Sequence, residues 1–274
     1  MRDVSTVGHR RQEHNLKSRI EATPQDHILQ REAKSGTGEE MTLAEQVYRS
    51  LRRDIISGAL EAGRSLRLEF LKQRYGISFS PIREALNRLH SERLVLTTVS
   101  RGFRVAPFSF DEMWDAIETR VLIDCEALRR SLANADDRWE ARLVGTFHAL
   151  VLATNREALE SQDQLEQEDL LEARHLEFHQ GLISACGSRW LIDLSTQLCD
   201  QTERYRRPTL RRRPEWGGAR NVHQEHQDLM DAALGRDASK ATVLLAEHYR
   251  ETGRMIELTY KSFEKLEKEG STKT

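Results

Sequence analysis

The chain is poor in the residues that staple, kink or embed a protein. Of 274 residues only 3 are cysteine and 5 proline, and aromatics make up 6%. Cys125, Cys186 and Cys199 are isolated, odd in number and in no CxxC pair. Neither a disulfide frame nor a cysteine metal site is expected, and a reducing cytoplasm is the expected compartment. No apolar run approaches the roughly 20 residues that a membrane helix needs, so no membrane association is expected. Met1–Glu40 opens polar and charged without the apolar stretch of a secretory leader, which predicts that none is present. Enzymatic motifs are missing as well: there is no HExxH, no nucleophile motif and no acid pair suited to general acid–base work. An enzyme is not expected.

What is present is a charged, globular composition, 38% hydrophobic against 31% charged, on a chain long enough for about two domains. The net charge of −2 conceals an asymmetry. Residues 41–107 carry 12 Lys+Arg against 6 Asp+Glu, residues 108–274 carry 23 against 31, and residues 1–40 carry 7 of each. A polyanion is drawn to the middle segment and repelled by the last, as a modular nucleic-acid binder requires. The first 40 residues have few large apolar side chains and no clear period, which predicts a disordered arm.

The basic segment predicts three helices and a hairpin. Leu43, Val47, Leu51 and Ile55 recur every four residues after Thr42, a fitting N-cap, and Gly58 stops that helix. A short second helix over Leu66–Tyr75 turns Leu68 and Leu71 inward and ends before Gly76. Ser80 can cap the third, with Pro81 in its first turn. Ile82, Leu86 and Leu89 then form an apolar stripe and leave Arg83, Asn87 and His90 on another face, where a guanidinium and an amide can meet phosphates and base edges. Leu94–Thr98 and Phe103–Val105 read as two strands joined at Ser100-Arg101-Gly102. These residues alone fit a DNA-reading unit with a wing and an ordinary surface helix with a hairpin equally well.

The segments QVYRSLRRDIISGAL, SPIREALNRL and RGFRVAP within Gln46–Pro107 resemble the winged helix-turn-helix domain of the GntR family of bacterial transcription regulators. That resemblance implies contact with double-stranded operator DNA through Ser78, Ser80, Arg83, Asn87, Arg101 and Gly102. Phe79 stands where many members carry arginine, which implies a different operator preference.

Beyond the short connector Phe108-Ser-Phe-Asp111, helical patterns fill the chain near 111–134, 138–160, 164–186, 189–206, 216–235 and 237–264. Six helices imply an all-α antiparallel bundle, so the whole is mainly α, with an arm over 1–40, a winged domain over 41–107 and a bundle over 108–274. Arg207-Pro208 is read as a helix break, and Tyr205, Arg206 and Arg211–Arg213 as a solvated loop. His175 and His179 lie four apart on one helical face. His226 and His248 lie at similar heights on either side of the turn at Gly235-Arg-Asp, so four imidazoles can meet at one point. His148 and His223 are rival ligands.

ETRVLIDCEAL, HLEFHQGLISACGS, EHQDLMDAALGRD and AEHYRE resemble the FCD domain, the helical effector-binding half of the FadR subfamily of GntR regulators. The resemblance implies a divalent metal on His175, His179, His226 and His248, with His175 replacing the usual aspartate. A nitrogen-rich set favours zinc or nickel. It also implies that Arg120 pairs with the acid group of an effector, while a salt bridge with Asp124 is the alternative. The expectation is a homodimeric repressor released by a small carboxylate bound at the metal; the alternatives are a metal-sensing regulator and a helical metalloenzyme.

Overall fold

The computed structural model describes residues 41–97, 102–157, 164–211 and 220–271. The expected arm over 1–40 lies outside them. Helix α1 spans Leu43–Ile56 and buries Val47, Leu51 and Ile55, the positions its four-residue period selects. Leu43, expected inward, is 56% exposed, because it sits one turn before the first covered position. Helix α2, Leu68–Tyr75, ends at Gly76, whose left-handed backbone (φ 67°) lets its N–H reach the Lys72 carbonyl.

Helix α3, Phe79–Ser91, begins two residues earlier than a Ser80 cap allows. Ser78 holds the extended N-cap position, so Ser80 lies in the first turn. Pro81 is then the third helical residue, still among the four whose N–H has no intrahelical acceptor, and it costs the helix no bond. Strands β1 (Val95–Thr97) and β2 (Phe103–Val105) pair antiparallel with Val95 opposite Val105. The Leu66 N–H donates to the Phe103 carbonyl at 2.8 Å and Ser65 bridges Arg104, which ties the wing to the chain entering α2. Val47, Leu51, Leu71, Ile82, Leu86 and Leu94 share one core.

Among the described residues six helices follow: α4 (Phe110–Asn134), α5 (Asp137–Glu157), α6 (Gln164–Ile183), α7 (Arg189–Arg211), α8 (Val222–Leu234) and α9 (Ala238–Ser271). Ser109 caps α4 by accepting from the Glu112 N–H, and Asn221 caps α8 by accepting from the Gln224 N–H. α4 is the central helix, packed on α6, α7 and α9. A second core gathers Met113, Leu128, Leu143, Phe178, Leu182 and Leu245. The connector is itself packed, with Phe108 stacked on Tyr260 at 4.0 Å and edge-on to Tyr205 at 5.0 Å. Among the described residues no helix is long and apolar enough to cross a membrane.

The expected break at Arg207-Pro208 is absent, and α7 runs through Pro208 to Arg211. A helix-interior proline costs about 3 kcal/mol in isolation. In this fold its ring lies against Gly58, where an added Cβ would meet Pro208 Cγ at 2.8 Å, so the proline side chain is used as packing. Because the helix continues, Tyr205 is buried and Arg206 joins a half-buried ion network, where a solvated loop was expected. Arg212 and Arg213 lie outside the described residues.

Candidate metal centre and nucleic-acid interface

The face of α3 opposite its apolar stripe is open. Ser78, Ser80, Arg83 and Asn87 are all exposed, and neither the Arg83 nor the Asn87 side chain is hydrogen-bonded or ion-paired to a described residue. Their neighbours differ. Arg88 lies over the Tyr48 ring at 3.6 Å and donates to Glu45 at 2.7 Å, so its charge serves the fold. The His90 ring nitrogen Nδ1 lies 2.9 Å from the Val95 carbonyl, and Lys72 sits over the Phe79 ring at 4.9 Å. Gly102 lies just before β2; Arg101, the expected wing-tip contact, lies outside the described residues. A guanidinium with no partner among the described residues, on a helix rooted by three fully buried side chains, is available to a phosphate or a guanine edge.

The four histidines do come together. His175 and His179 project from α6, His226 from α8 and His248 from α9, each offering a ring nitrogen within 4.8 Å of the others. The Nε2 atoms of His175 and His179 are 3.2 Å apart, and the His226 and His248 ring centres are 4.7 Å apart. His148 and His223 are exposed and take no part; His223 rests on Phe147.

The residues fit a metal. His226 Nε2 is buried with no partner among the described residues, a polar atom that a bound ion would satisfy. His248 Nδ1 lies 2.8 Å from Glu225, and since a carboxylate only accepts, Nδ1 carries the proton and Nε2 is left as a bare ligand atom. Arg220 grips both oxygens of Glu225 at 2.7 Å, and although burial opposes it, the bonds from His248 and Arg220 take that carboxyl down to about 2. This supporting pair was not anticipated from sequence, where Glu225 is only the neighbour of a histidine. On the other side, Glu172 and Glu203 approach His175, with Arg206 bridging the two carboxylates. One guanidinium against two carboxylates leaves this side of the site acidic.

Burial is the largest cause that pushes all four imidazoles below their ordinary pKa, and the proximity of His248 reinforces it at His179 and His226. They are therefore neutral near pH 7, the form a metal binds. The sign for metal-free protein follows: with folded pKa values depressed, the unfolded chain binds more protons below about pH 6.5, so stability falls as pH drops through that value. Thermal melts of chelator-treated protein are expected to be flat from pH 7.5 to 8.5 and to shift downward below about 6.5. A midpoint independent of pH between 5 and 8 would show that these histidines are not buried neutral.

Arg120 faces the cavity beside His179, but it is engaged. Its Nε donates to Asp124 at 3.1 Å, its Nη1 donates to Thr202 at 2.8 Å, and its guanidinium covers the Tyr249 ring at 4.1 Å. The Asp124 pairing given as the alternative is thus formed in the molecule as it stands. Tyr249 donates to Asp124 at 2.8 Å and lies 3.5 Å from His179 Nδ1, so the arginine site and the histidine site share a side chain. Thr202 and Tyr249 were not anticipated, because nothing in local sequence marks which residues of α7 and α9 meet Arg120.

Residues 43–105 match the bacterial regulatory proteins of the gntR family, and residues 115–251 match the FCD domain. The HTH-type transcriptional regulator BphR of Paraburkholderia xenovorans is 44% identical over 76% of this chain and 82% of its own length. The HTH-type transcriptional repressor GlaR of Escherichia coli is 34% identical over 73% of this chain and 90% of its own. Among solved structures, E. coli McbR/YncC superposes with a TM-score of 0.65 over 81% of this chain and 99% of its own at 20% identity, a likeness of fold. With an open α3 face matching the first half of that pattern and a histidine-bearing bundle matching the second, the chain belongs to the GntR family, as a DNA-binding transcriptional regulator with a C-terminal FCD domain and not an enzyme.

Proposed function

We propose that this regulator is a FadR-type repressor that binds a palindromic operator as a homodimer and releases it when a small carboxylate enters the cavity beside the histidines. The bundle over 108–274 is the sensing domain and the winged unit over 41–107 the reading domain. A named repressor among its relatives supports the sign. His175, His179, His226 and His248 would hold the metal, and an all-nitrogen set favours zinc or nickel over magnesium or calcium. When bound, the ion supplies a Lewis-acid partner for an anionic ligand.

One helix carries the reading. On one side α7 lines the cavity with Ser195 and Cys199 and accepts from Arg120 through Thr202. On the other it holds the reading unit: Gln201 donates to the Glu92 carbonyl at 2.6 Å, Arg204 donates to the Ala106 and Pro107 carbonyls at 3.3 and 3.2 Å, and Asp200 pairs with Arg52. A ligand that draws Arg120 away from Thr202 acts on the element that orients α1 and the wing. Such coupling is typically about 1–3 kcal/mol. The test is operator affinity of zinc-loaded protein with and without a panel of small acids, in wild type and Thr202→Val. An acid is expected to weaken operator binding of the wild type by about 5–150-fold, with the effect reduced in the variant. If no acid alters affinity, the sensing role fails.

Four imidazoles can also fill a tetrahedral ion completely, which favours a second reading in which the metal itself is the signal. Zinc titration without any acid would then change operator affinity. For the reading face, Arg83→Ala is expected to weaken operator binding by about 1–3 kcal/mol with an unchanged circular dichroism spectrum. Unchanged affinity would remove Arg83 from the interface.

A further inference from the structure

The cavity beside the histidines contains a buried acceptor that nothing in the described chain satisfies. Asp124 is 2% exposed; its Oδ2 accepts from Arg120 Nε at 3.1 Å and from the Tyr249 hydroxyl at 2.8 Å, while its Oδ1 has no partner. Two donors pin Oδ2, so the carboxylate cannot turn to satisfy Oδ1 without abandoning them. Asp124 lines the same cavity as Arg120, His179, Gln180 and Ser195, and the last two side chains make no hydrogen bond to described residues.

A carboxylate oxygen only accepts, and leaving one buried and unmet is unfavourable. A ligand that brings nothing but its own carboxylate satisfies Arg120 yet sets like charge beside Oδ1. A ligand with a hydroxyl or ammonium next to its carboxylate presents the anion to Arg120 and a donor to Oδ1. Resting on the effector reading above, we propose that the effector is an acid bearing such a donor on the adjacent carbon, a 2-hydroxy or 2-amino acid, and that Asp124 Oδ1 accepts from that group. Sites built around a ligand's donor reject the analogue lacking it far more strongly than apolar pockets discriminate by size.

The experiment is calorimetric titration of full-length, zinc-loaded protein with matched acids: lactate and alanine against propionate, malate and aspartate against succinate. At one chain length or both, a donor-bearing acid is expected to bind at least about tenfold more tightly than its plain counterpart. Comparing the hydroxy and amino members tells which donor is used. Asp124→Asn supplies the second measurement. Its amide oxygen must stay with Arg120 and Tyr249, which turns Nδ2, a donor, into the cavity, so the preference is expected to vanish or invert. Plain acids binding as well as their donor-bearing partners would overturn the inference while leaving the effector site intact, and so would a preference that survives unchanged in Asp124→Asn. If no acid in the panel binds, the effector reading falls and this inference with it. Should the variant fail to fold, the wild-type ratios alone decide.

Discussion

His226→Ala is expected to lower zinc affinity by more than about a hundredfold, since loss of an outer partner to a metal-binding histidine already costs 10–100-fold and this is a direct ligand position. The imidazole comes from α8, and no other histidine among the described residues can replace it, the nearest rival, His223, being exposed. Its Nε2 has no partner among the described residues, so in metal-free protein it is a buried polar atom whose desolvation they do not offset. The variant should therefore separate two quantities: the metal-free melting temperature changes modestly, and the rise on adding zinc disappears. Elemental analysis and chelator competition measure the first-order effect, and operator binding without effector is the control that the reading unit is intact. A full complement of zinc in the variant would mean that the ion, if any, lies elsewhere.

Arg120→Ala is expected to destabilise the folded chain by about 3–5 kcal/mol, the cost of breaking a buried ion pair from one side. Solvent screening gives no relief, since the two side chains are 7% and 3% exposed. The arginine leaves behind Asp124 with only the Tyr249 hydroxyl, and also vacates the space over the Tyr249 ring. Asp124→Asn in the same chain removes the stranded charge, so the double variant should be more stable than Arg120→Ala alone. At roughly 2–4 °C per kcal/mol for a domain of this size, the single variant should melt about 6–20 °C lower. A loss below about 1 kcal/mol, or a double variant worse than the sum of the singles, would show that the pair does not carry this weight. The zinc content should survive, because among the described residues Arg120 makes no hydrogen bond to the histidines and reaches them through Tyr249.

Periodicity along the chain was enough to place most helices and the central stretch of the faces they bury. Val47, Leu51 and Ile55, and Ile82, Leu86 and Leu89, are spaced so that burying one buries the others, which leaves Arg83 and Asn87 outside. The same arithmetic placed His175 beside His179 and set His226 level with His248 across a tight turn. Those are short-range consequences of helix geometry. What a side chain meets across the fold is not. Pro208 stays helical because Gly58, far earlier in the chain, leaves room for its ring. Leu43 is exposed because its helix outruns its cover, and Ser78 displaces Ser80 as the cap because the chain leaving Gly76 is already extended there. The FCD resemblance singled out Arg120 as a binding cation, but its engagement with Thr202 and the unmet oxygen of Asp124 depend on how α4, α7 and α9 pack. Tertiary structure also made α7 the joint between cavity and reading unit, since its two sides touch partners about eighty to a hundred and fifty residues away, at distances that no local pattern encodes.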